Sequence, residues 1–338
     1  MTSRLPGPAS AGDRRSARTP LTALGDLSQP VPERPRRVVV RAPGKLNLSL
    51  GVGAVDERGY HSLATVFQAV DLYETVTAVQ AEEMSLVIDA EVSGEVPVDA
   101  SNLALRAAEL LRTELGVRAA AALHVHKQVP IAGGMGGGSA DAAATLIALD
   151  RLWGLQLGGE QLRALGARLG ADVPFAMLGH TALGRGNGGE LTTVLTHGDW
   201  TWLLAVPGGH LSTPAVYRRH DEIAAAVGRR LAQRPEIDAR QLLALSSGNA
   251  ELLGSTLHND LQSAAFALHL GLEPVVEAAE RAGALGAIVS GSGPTVAALA
   301  RDPGHAESIA AALRAGGLVD DCFVARGSAP GASILEES

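Results

Sequence analysis

Of the 28 basic residues in this 338-residue chain only two are lysine, Lys45 and Lys127. Lysine is a compact, mobile point charge on a flexible stem and arginine a rigid planar fork, so a lysine kept among arginines marks a place that cannot use the fork. Lys45 sits in Ala42-Pro43-Gly44-Lys45-Leu46-Asn47-Leu48, and Lys127 lies in the strand-like segment 121–129. That segment leads into Pro130-Ile131-Ala132-Gly133-Gly134-Met135-Gly136-Gly137-Gly138-Ser139, with five glycines between positions 133 and 138. Each glycine gives up more backbone freedom on folding than another residue would, so such a loop implies an unusual backbone path. Set between a strand and a helix, it turns bare N–H groups and the positive end of the helix dipole toward one point, a cradle for an anion. A merely flexible connection is the alternative, and it does not account for so abrupt a helix start.

Two standard phosphate motifs are excluded, because the loop has no Gly-Lys-Ser/Thr ending and no G-x-G-x-x-G register. A literal G-x-G-x-x-G at Gly184, Gly186 and Gly189 precedes the β-prone run 190–194 and reads as a turn. His124 and His126 share a strand face without a third ligand at metal-site spacing, so they read as surface or core residues. Asp141, in the first turn after the loop, suits the helix but would repel a phosphate; it faces away or helps hold a metal indirectly. Asp172 has two readings. Following a helix that ends at Gly170, with Pro174 two residues on, it is a good N-cap; it is also a carboxylate available as a general base.

The elements that must position these groups follow from periodicity. Residues 38–40 and 46–50 read as strands joined by a turn at 42–45, followed by strands at 73–79 and 86–92. Helices are expected at 102–115 (ended by Gly116), 140–153 (closed by Gly154) and 159–169, with the strand 121–129 before the glycine loop. A strand at 202–206, helices at 215–230, 260–268 and 274–282, and strands at 287–290, 296–300 and 323–326 alternate as a second sheet would require. The boundary falls near residue 195.

Pro43-Gly44-Lys45-Leu46-Asn47-Leu48, the loop 133–139 with Ala140-Asp141-Ala142-Ala143, and Gly291-Ser292-Gly293 resemble, in order, the three motifs of the GHMP kinases. The resemblance covers roughly residues 38–330. It implies an α+β, two-domain GHMP kinase fold with the active site in the interdomain cleft: an ATP-binding N-terminal domain at 38–195, a ferredoxin-like C-terminal domain at 196–330, and a tail at 331–338. Gly59-Tyr60-His61, Gly170-Ala171-Asp172-Val173-Pro174 and the segment 207–217 are similar to those members whose acceptor is a cytidine diphosphate-linked methylerythritol, a small-molecule substrate phosphorylated on its 2-hydroxyl.

Carried over by position, the resemblance implies that Lys45 and Asp172 are the catalytic pair, Lys45 as a charge beside the γ-phosphoryl group and Asp172 as the acceptor of the hydroxyl proton. It implies that ATP is bound by Asn102, Lys127, Pro130, Ala132, Gly133, Gly134, Met135, Gly136, Gly137, Gly138 and Ser139, with Ser139 on the side of a Mg²⁺ ion. It implies that Tyr60, His61 and Tyr217 form the cytosine pocket and that Asn47 is a further substrate contact. Ala140, where a second serine is usual, and Pro294-Thr295 after the third motif depart from the family pattern. A homoserine or mevalonate kinase would keep the loop and Asp172 without a use for Tyr60, His61 and Tyr217; a non-catalytic sensor would have no use for both Lys45 and Asp172.

Composition bounds the rest. No apolar run reaches the ~18 residues of a spanning helix, which argues against a membrane protein. The single cysteine, Cys322, has no partner for an internal disulfide, so a cytoplasmic location is expected. Residues 1–37 carry seven arginines against Asp13, Asp26 and Glu33, which leaves the body more acidic than the overall charge of −8. An acidic body argues against nucleic acid as a partner. The Arg-, Pro- and Ser-rich 1–37 lacks apolar periodicity and reads as a disordered extension, or alternatively as a transit peptide.

Overall fold

The computed structural model describes residues 34–57, 59–94 and 96–338, so residues 1–33 of the expected extension lie outside it. Its last residues belong to the fold: the Arg36 and Arg37 N–H groups both donate to the Ser338 carbonyl, at 2.7 and 2.8 Å. Arg37 opens the first strand.

Along the first sheet and its helices the elements are β1 (Arg37–Val55), β2 (His61–Ala81), β3 (Ser85–Ala90), α1 (Leu103–Leu115), β4 (Ala120–Lys127), α2 (Gly137–Trp153), α3 (Gly159–Leu169), α4 (Asp172–Leu178), β5 (Thr181–Gly186) and β6 (Glu190–Thr193). There follow β7 (Thr201–Val206), α5 (Thr213–Ala226), α6 (Ala239–Ser247), α7 (Ala250–Ser255), β8 (His258–Asn259), α8 (Gln262–Leu268), α9 (Leu272–Arg281), β9 (Gly286–Val289), β10 (Val296–Ala300), α10 (Pro303–Ala315), β11 (Asp321–Arg326) and β12 (Ser333–Glu337).

The turn expected at 42–45 is absent; β1 runs through it as one strand. Pro43 pairs with Tyr73 and Gly44 with Val70, so β2 bulges there at Asp71 and Leu72. Proline is tolerated in a strand at such a bulge, and the bulge bends the pair. What covers this side of β1 changes along its length: Val38, Val40 and Ala42 pack against α1 and α2, whereas Leu46 and Leu48 pack against Trp202 and Leu204 of β7.

The first sheet runs β12-β1-β2-β4-β3, with β5 on the other half of β2, β6 beyond β5, and β8 on β1. β12 corrects the expected tail: 333–337 pair antiparallel with β1 along its Val38–Arg41 segment, covering an edge whose N–H and C=O groups would otherwise lie open. The second sheet, β11-β7-β10-β9, is antiparallel throughout. With helices between β7 and β9 and α10 between β10 and β11, this is the ferredoxin-like topology. Residues 34–338 form one compact unit, because Leu46, Leu48 and Val66 share a core with Trp202, Leu204 and Ile288. Residue 195 falls in the connection between β6 and β7, and the two sheets share a core.

Candidate active site

The strand β1 carries Lys45, and the backbone ties it to the glycine loop: the Lys45 N–H donates to the Met135 carbonyl at 2.9 Å. The β9–β10 turn closes from the other side, with Thr295 N–H donating to the Gly133 carbonyl at 3.2 Å and Ser290 Oγ to the Gly134 carbonyl at 3.3 Å. The three glycine-bearing segments thus meet at one side chain. Lys45 is buried, its Nζ donating to Asn47 Oδ1 at 2.6 Å and lying 3.7 Å from Asp172 Oδ2. Asn47 Nδ2 in turn donates to Thr65 Oγ1 at 2.8 Å, and that hydroxyl donates to the Ser49 carbonyl at 2.6 Å. Asn47, expected as a substrate contact, is 3% exposed and has both ends of its amide engaged, Oδ1 by Lys45 and Nδ2 by Thr65.

Gly136, at φ 73°, stands at the N-cap position of α2, and no side chain caps the helix. A β-carbon at Gly136 would meet Lys45 Cγ at 3.1 Å and Asp172 Oδ2 at 3.7 Å, so loop, lysine and carboxylate are in direct contact. The uncapped N–H groups of the first turn are the donors an anion requires. They open on a cavity of about 390 Å³ whose lining includes Asn102, Lys127, Pro130, Ala132, the glycines 133–138, Met135, Ser139 and Asp141. Ala140 is fully buried in the helix-side core, so a serine at this position would face apolar neighbours.

Two of the residues expected to hold ATP also have structural work. Asn102 caps α1, its Oδ1 accepting from Ala104 N–H at 2.8 Å while its Nδ2 donates to the Pro97 carbonyl. Lys127 is 3% exposed and its ammonium lies 2.6 Å from Asp141 Oδ2 and 2.8 Å from Glu74 Oε1. Burial alone would lower the Lys127 pKa; the two carboxylates outweigh it and hold it above its ordinary value. Burial, opposed by Lys127, raises Asp141, and burial together with the Asp141 charge pushes Glu74 up to about 8. Glu74 was not singled out by the sequence, where it is one polar residue in a β-branched run. Its oxygen lies beneath the loop, 2.8 Å from where a Gly137 β-carbon would stand.

The sign of the pH dependence follows. Glu74 is protonated in the fold at pH values where the unfolded chain has already lost the proton, so its contribution is fully present below about 4.5 and is lost as pH rises towards about 8. Glu74→Gln is expected to flatten the fall in melting temperature between pH 5 and 8; an unchanged slope would contradict the assignment.

Asp172 is the first residue of α4, whose cap position is Ala171, and no side chain makes a capping bond there. Of its two readings, capping is therefore not what its side chain does; the carboxylate faces Lys45. Ser139 lies close by, 3.9 Å from the place of a Gly170 β-carbon.

A second cavity, of about 700 Å³, is lined by Gly170 and Ala171, by Tyr60, His61 and Tyr217, and by Arg168, Arg218 and Asp221. His61 stacks on Tyr217, centroids 5.2 Å apart at 30°, and so covers one face of that ring; Tyr60 is exposed. The Tyr217 hydroxyl is pushed up to about 12 by burial and by the Asp172 charge, and Ala171, the residue before Asp172, lines the cavity. Tyr73 stands elsewhere, beneath the Arg41 guanidinium at 4.4 Å. Missed in the sequence were Thr65, Glu74 and Asp221. Only Asp221 left a local signal, four residues after Tyr217 on the same helix face.

For a metal ion, no group of three His, Cys, Asp or Glu among the described residues forms a cage. Asp141 Oδ1 is buried without a hydrogen bond, and Asp141 shares its cavity with Ser139. A hydroxyl and a carboxylate oxygen are ligand types that Mg²⁺ takes, the rest of its shell coming from water and phosphate.

Family comparison agrees with this geometry. The family models described as GHMP kinases N terminal domain and GHMP kinases C terminal match residues 102–180 and 240–317. A 4-diphosphocytidyl-2-C-methyl-D-erythritol kinase of Leifsonia xyli subsp. xyli is 48% identical over 283 residues, 82% of this chain and 92% of that one. A crystal structure of 4-(cytidine 5'-diphospho)-2C-methyl-D-erythritol kinase superposes with a TM-score of 0.70 at 31% identity, covering 86% of this chain and 99% of the other. A mevalonate kinase of L. major superposes with a TM-score of 0.69 at 18% identity over 86% of this chain and 95% of the other, a likeness of fold alone.

Proposed function

The chain belongs to the GHMP kinase family, and from that premise we propose that it transfers the γ-phosphoryl group of ATP to the 2-hydroxyl of 4-diphosphocytidyl-2-C-methyl-D-erythritol, giving the 2-phosphate and ADP, a step in the supply of isoprenoid precursors. The observation that carries the reading is the meeting of Lys45, Asp172 and an uncapped helix N-terminus between two cavities, one beside the glycine loop and one walled by His61 and Tyr217.

In this reading the triphosphate lies against the N–H groups that open α2, with the γ-phosphoryl group beside Lys45. Positioning and charge stabilisation do most of the work in phosphoryl transfer. Lys45 supplies a point charge whose place is fixed by Asn47 and, behind it, Thr65. Asp172 orients the 2-hydroxyl and takes its proton as the oxygen–phosphorus bond forms and the bond to ADP breaks. Ser139, with Asp141 acting through water, would hold Mg²⁺, which supplies neutralisation of phosphate charge. The Lys127 pair with Glu74 and Asp141 supports the loop from beneath, and Asn102 does so by fixing the start of α1. Tyr60, His61 and Tyr217 hold the base, and Arg168 and Arg218, lining the same cavity, suit the diphosphate between base and hydroxyl.

The substrate is a small anion held locally in an acidic protein, which favours neither a nucleic-acid nor a membrane partner. No helix among the described residues is long and apolar enough to cross a membrane, and a lone half-buried thiol suits the cytoplasm. The test is ADP release with ATP, Mg²⁺ and a panel of acceptors. Turnover is expected with the cytidyl substrate and not with mevalonate, homoserine or galactose; equal turnover of any of these would overturn the assignment.

A further inference from the structure

Resting on that reading of the second cavity, we infer that Asp221 is the residue that reads the base as cytosine and not uracil. Helix α5 places Tyr217 and Asp221 four residues apart, on one face, and both line the 700 Å³ cavity. Among the described residues lining it, Asp221 is the only carboxylate. Its Oδ2 lies 3.3 Å from His61 Nε2. The other imidazole nitrogen, Nδ1, lies 2.8 Å from the Gly53 carbonyl, which can only accept, so Nδ1 carries a hydrogen. The imidazole is held through Nδ1 and stacked on Tyr217, with the Asp221 carboxylate standing beside its Nε2 on the cavity wall.

A carboxylate offers acceptors alone. Cytosine presents its 4-amino group as a donor at the position where uracil presents the 4-oxygen, an acceptor, and Asp or Glu accepting from that amine is a known pairing. Uracil in the same place would set two acceptors against each other. The neighbouring Asn187 could not make this distinction, since an amide serves either base by turning over, and its Oδ1 already accepts from the Gly189 N–H at 3.1 Å. The remaining charged residues of the wall, Arg168 and Arg218, are cations and would favour uracil if they faced the base edge. Among the carboxylates, amides and cations of the described lining, Asp221 is the group that accepts from the 4-amino group and cannot donate to the 4-oxygen.

The test is binding of CDP and of UDP by calorimetry, with the nucleotide site saturated by a non-hydrolysable ATP analogue, in the unaltered protein and in Asp221→Asn and Asp221→Ala. The unaltered protein is expected to bind CDP about 10- to 100-fold more tightly than UDP. Asp221→Asn, whose amide can serve either base, is expected to bring the ratio to within about three-fold while affinity for the ATP analogue and the melting temperature stay put. Equal binding of CDP and UDP by the unaltered protein, or an undiminished ratio in both variants, would overturn the inference. A protein that prefers CDP through Asp221 yet transfers phosphate to a different acceptor would uphold the inference and sink the proposed function, so the two failures are separable.

Discussion

Asp172→Asn is expected to lower turnover by about 10²–10⁴ while the fold and the binding of both substrates persist. The carboxylate stands at the first position of α4, does not cap it, and keeps about a third of its side chain exposed. Its loss therefore removes only a first-turn charge from the helix, an effect of about 0.3–1 kcal/mol. The pair with Lys45, at 3.7 Å and partly open to water, adds little to stability. Chemistry is where the substitution must tell, because asparagine can orient a hydroxyl but cannot take its proton. Steady-state kinetics beside a thermal melt checks this: turnover within a few-fold of the original would leave positioning by Lys45 and the loop to carry the reaction, and would remove Asp172 from the role of base.

Lys45→Arg is expected to fail almost as badly as Lys45→Ala, with a loss of roughly 10²–10³ in kcat, the usual cost of removing one charge-stabilising donor. The reason is space as much as charge. The side chain is walled by the backbone at Gly136 and Gly291, where added β-carbons would stand 3.1 Å from Lys45 Cγ and 3.3 Å from Nζ. Below it lies the Phe67 ring, 5.7 Å from Nζ. A guanidinium would displace either the loop or the β9–β10 turn. A fully active Lys45→Arg protein would mean that lysine survives at this position by accident.

What the sequence could and could not say is clearest at particular residues. The bounds of α1 and α3 were legible because Gly116 and Gly170 stop them and apolar spacing fills them. The strand Val296–Ala300 stood out as a run of small and β-prone residues between polar flanks. The turn at 42–45 was misread because Pro43 and Gly44 are turn residues by type, and the bulge that accommodates them lies across the sheet at Asp71 and Leu72. The C-terminal Ser333–Glu337 has no strand pattern of its own; β12 exists because an open edge of β1 waits for it. Helix α10 was missed although Asp302 and Pro303 announce it, the Asp302 side chain accepting from the His305 N–H. In the site, Lys45, Asp172 and the glycine loop were legible through residue type and family resemblance. Glu74 beneath Lys127, and Thr65 behind Asn47, were not, since a buried partnership between distant strands leaves no trace in local spacing.

The product of the reaction is the most direct test of phosphoryl transfer to the 2-hydroxyl. Phosphorus NMR of protein, ATP, Mg²⁺ and 4-diphosphocytidyl-2-C-methyl-D-erythritol should show one new phosphomonoester resonance growing in step with ADP, with the cytidyl diphosphate bridge intact. ADP accompanied by inorganic phosphate and no new monoester would contradict that transfer.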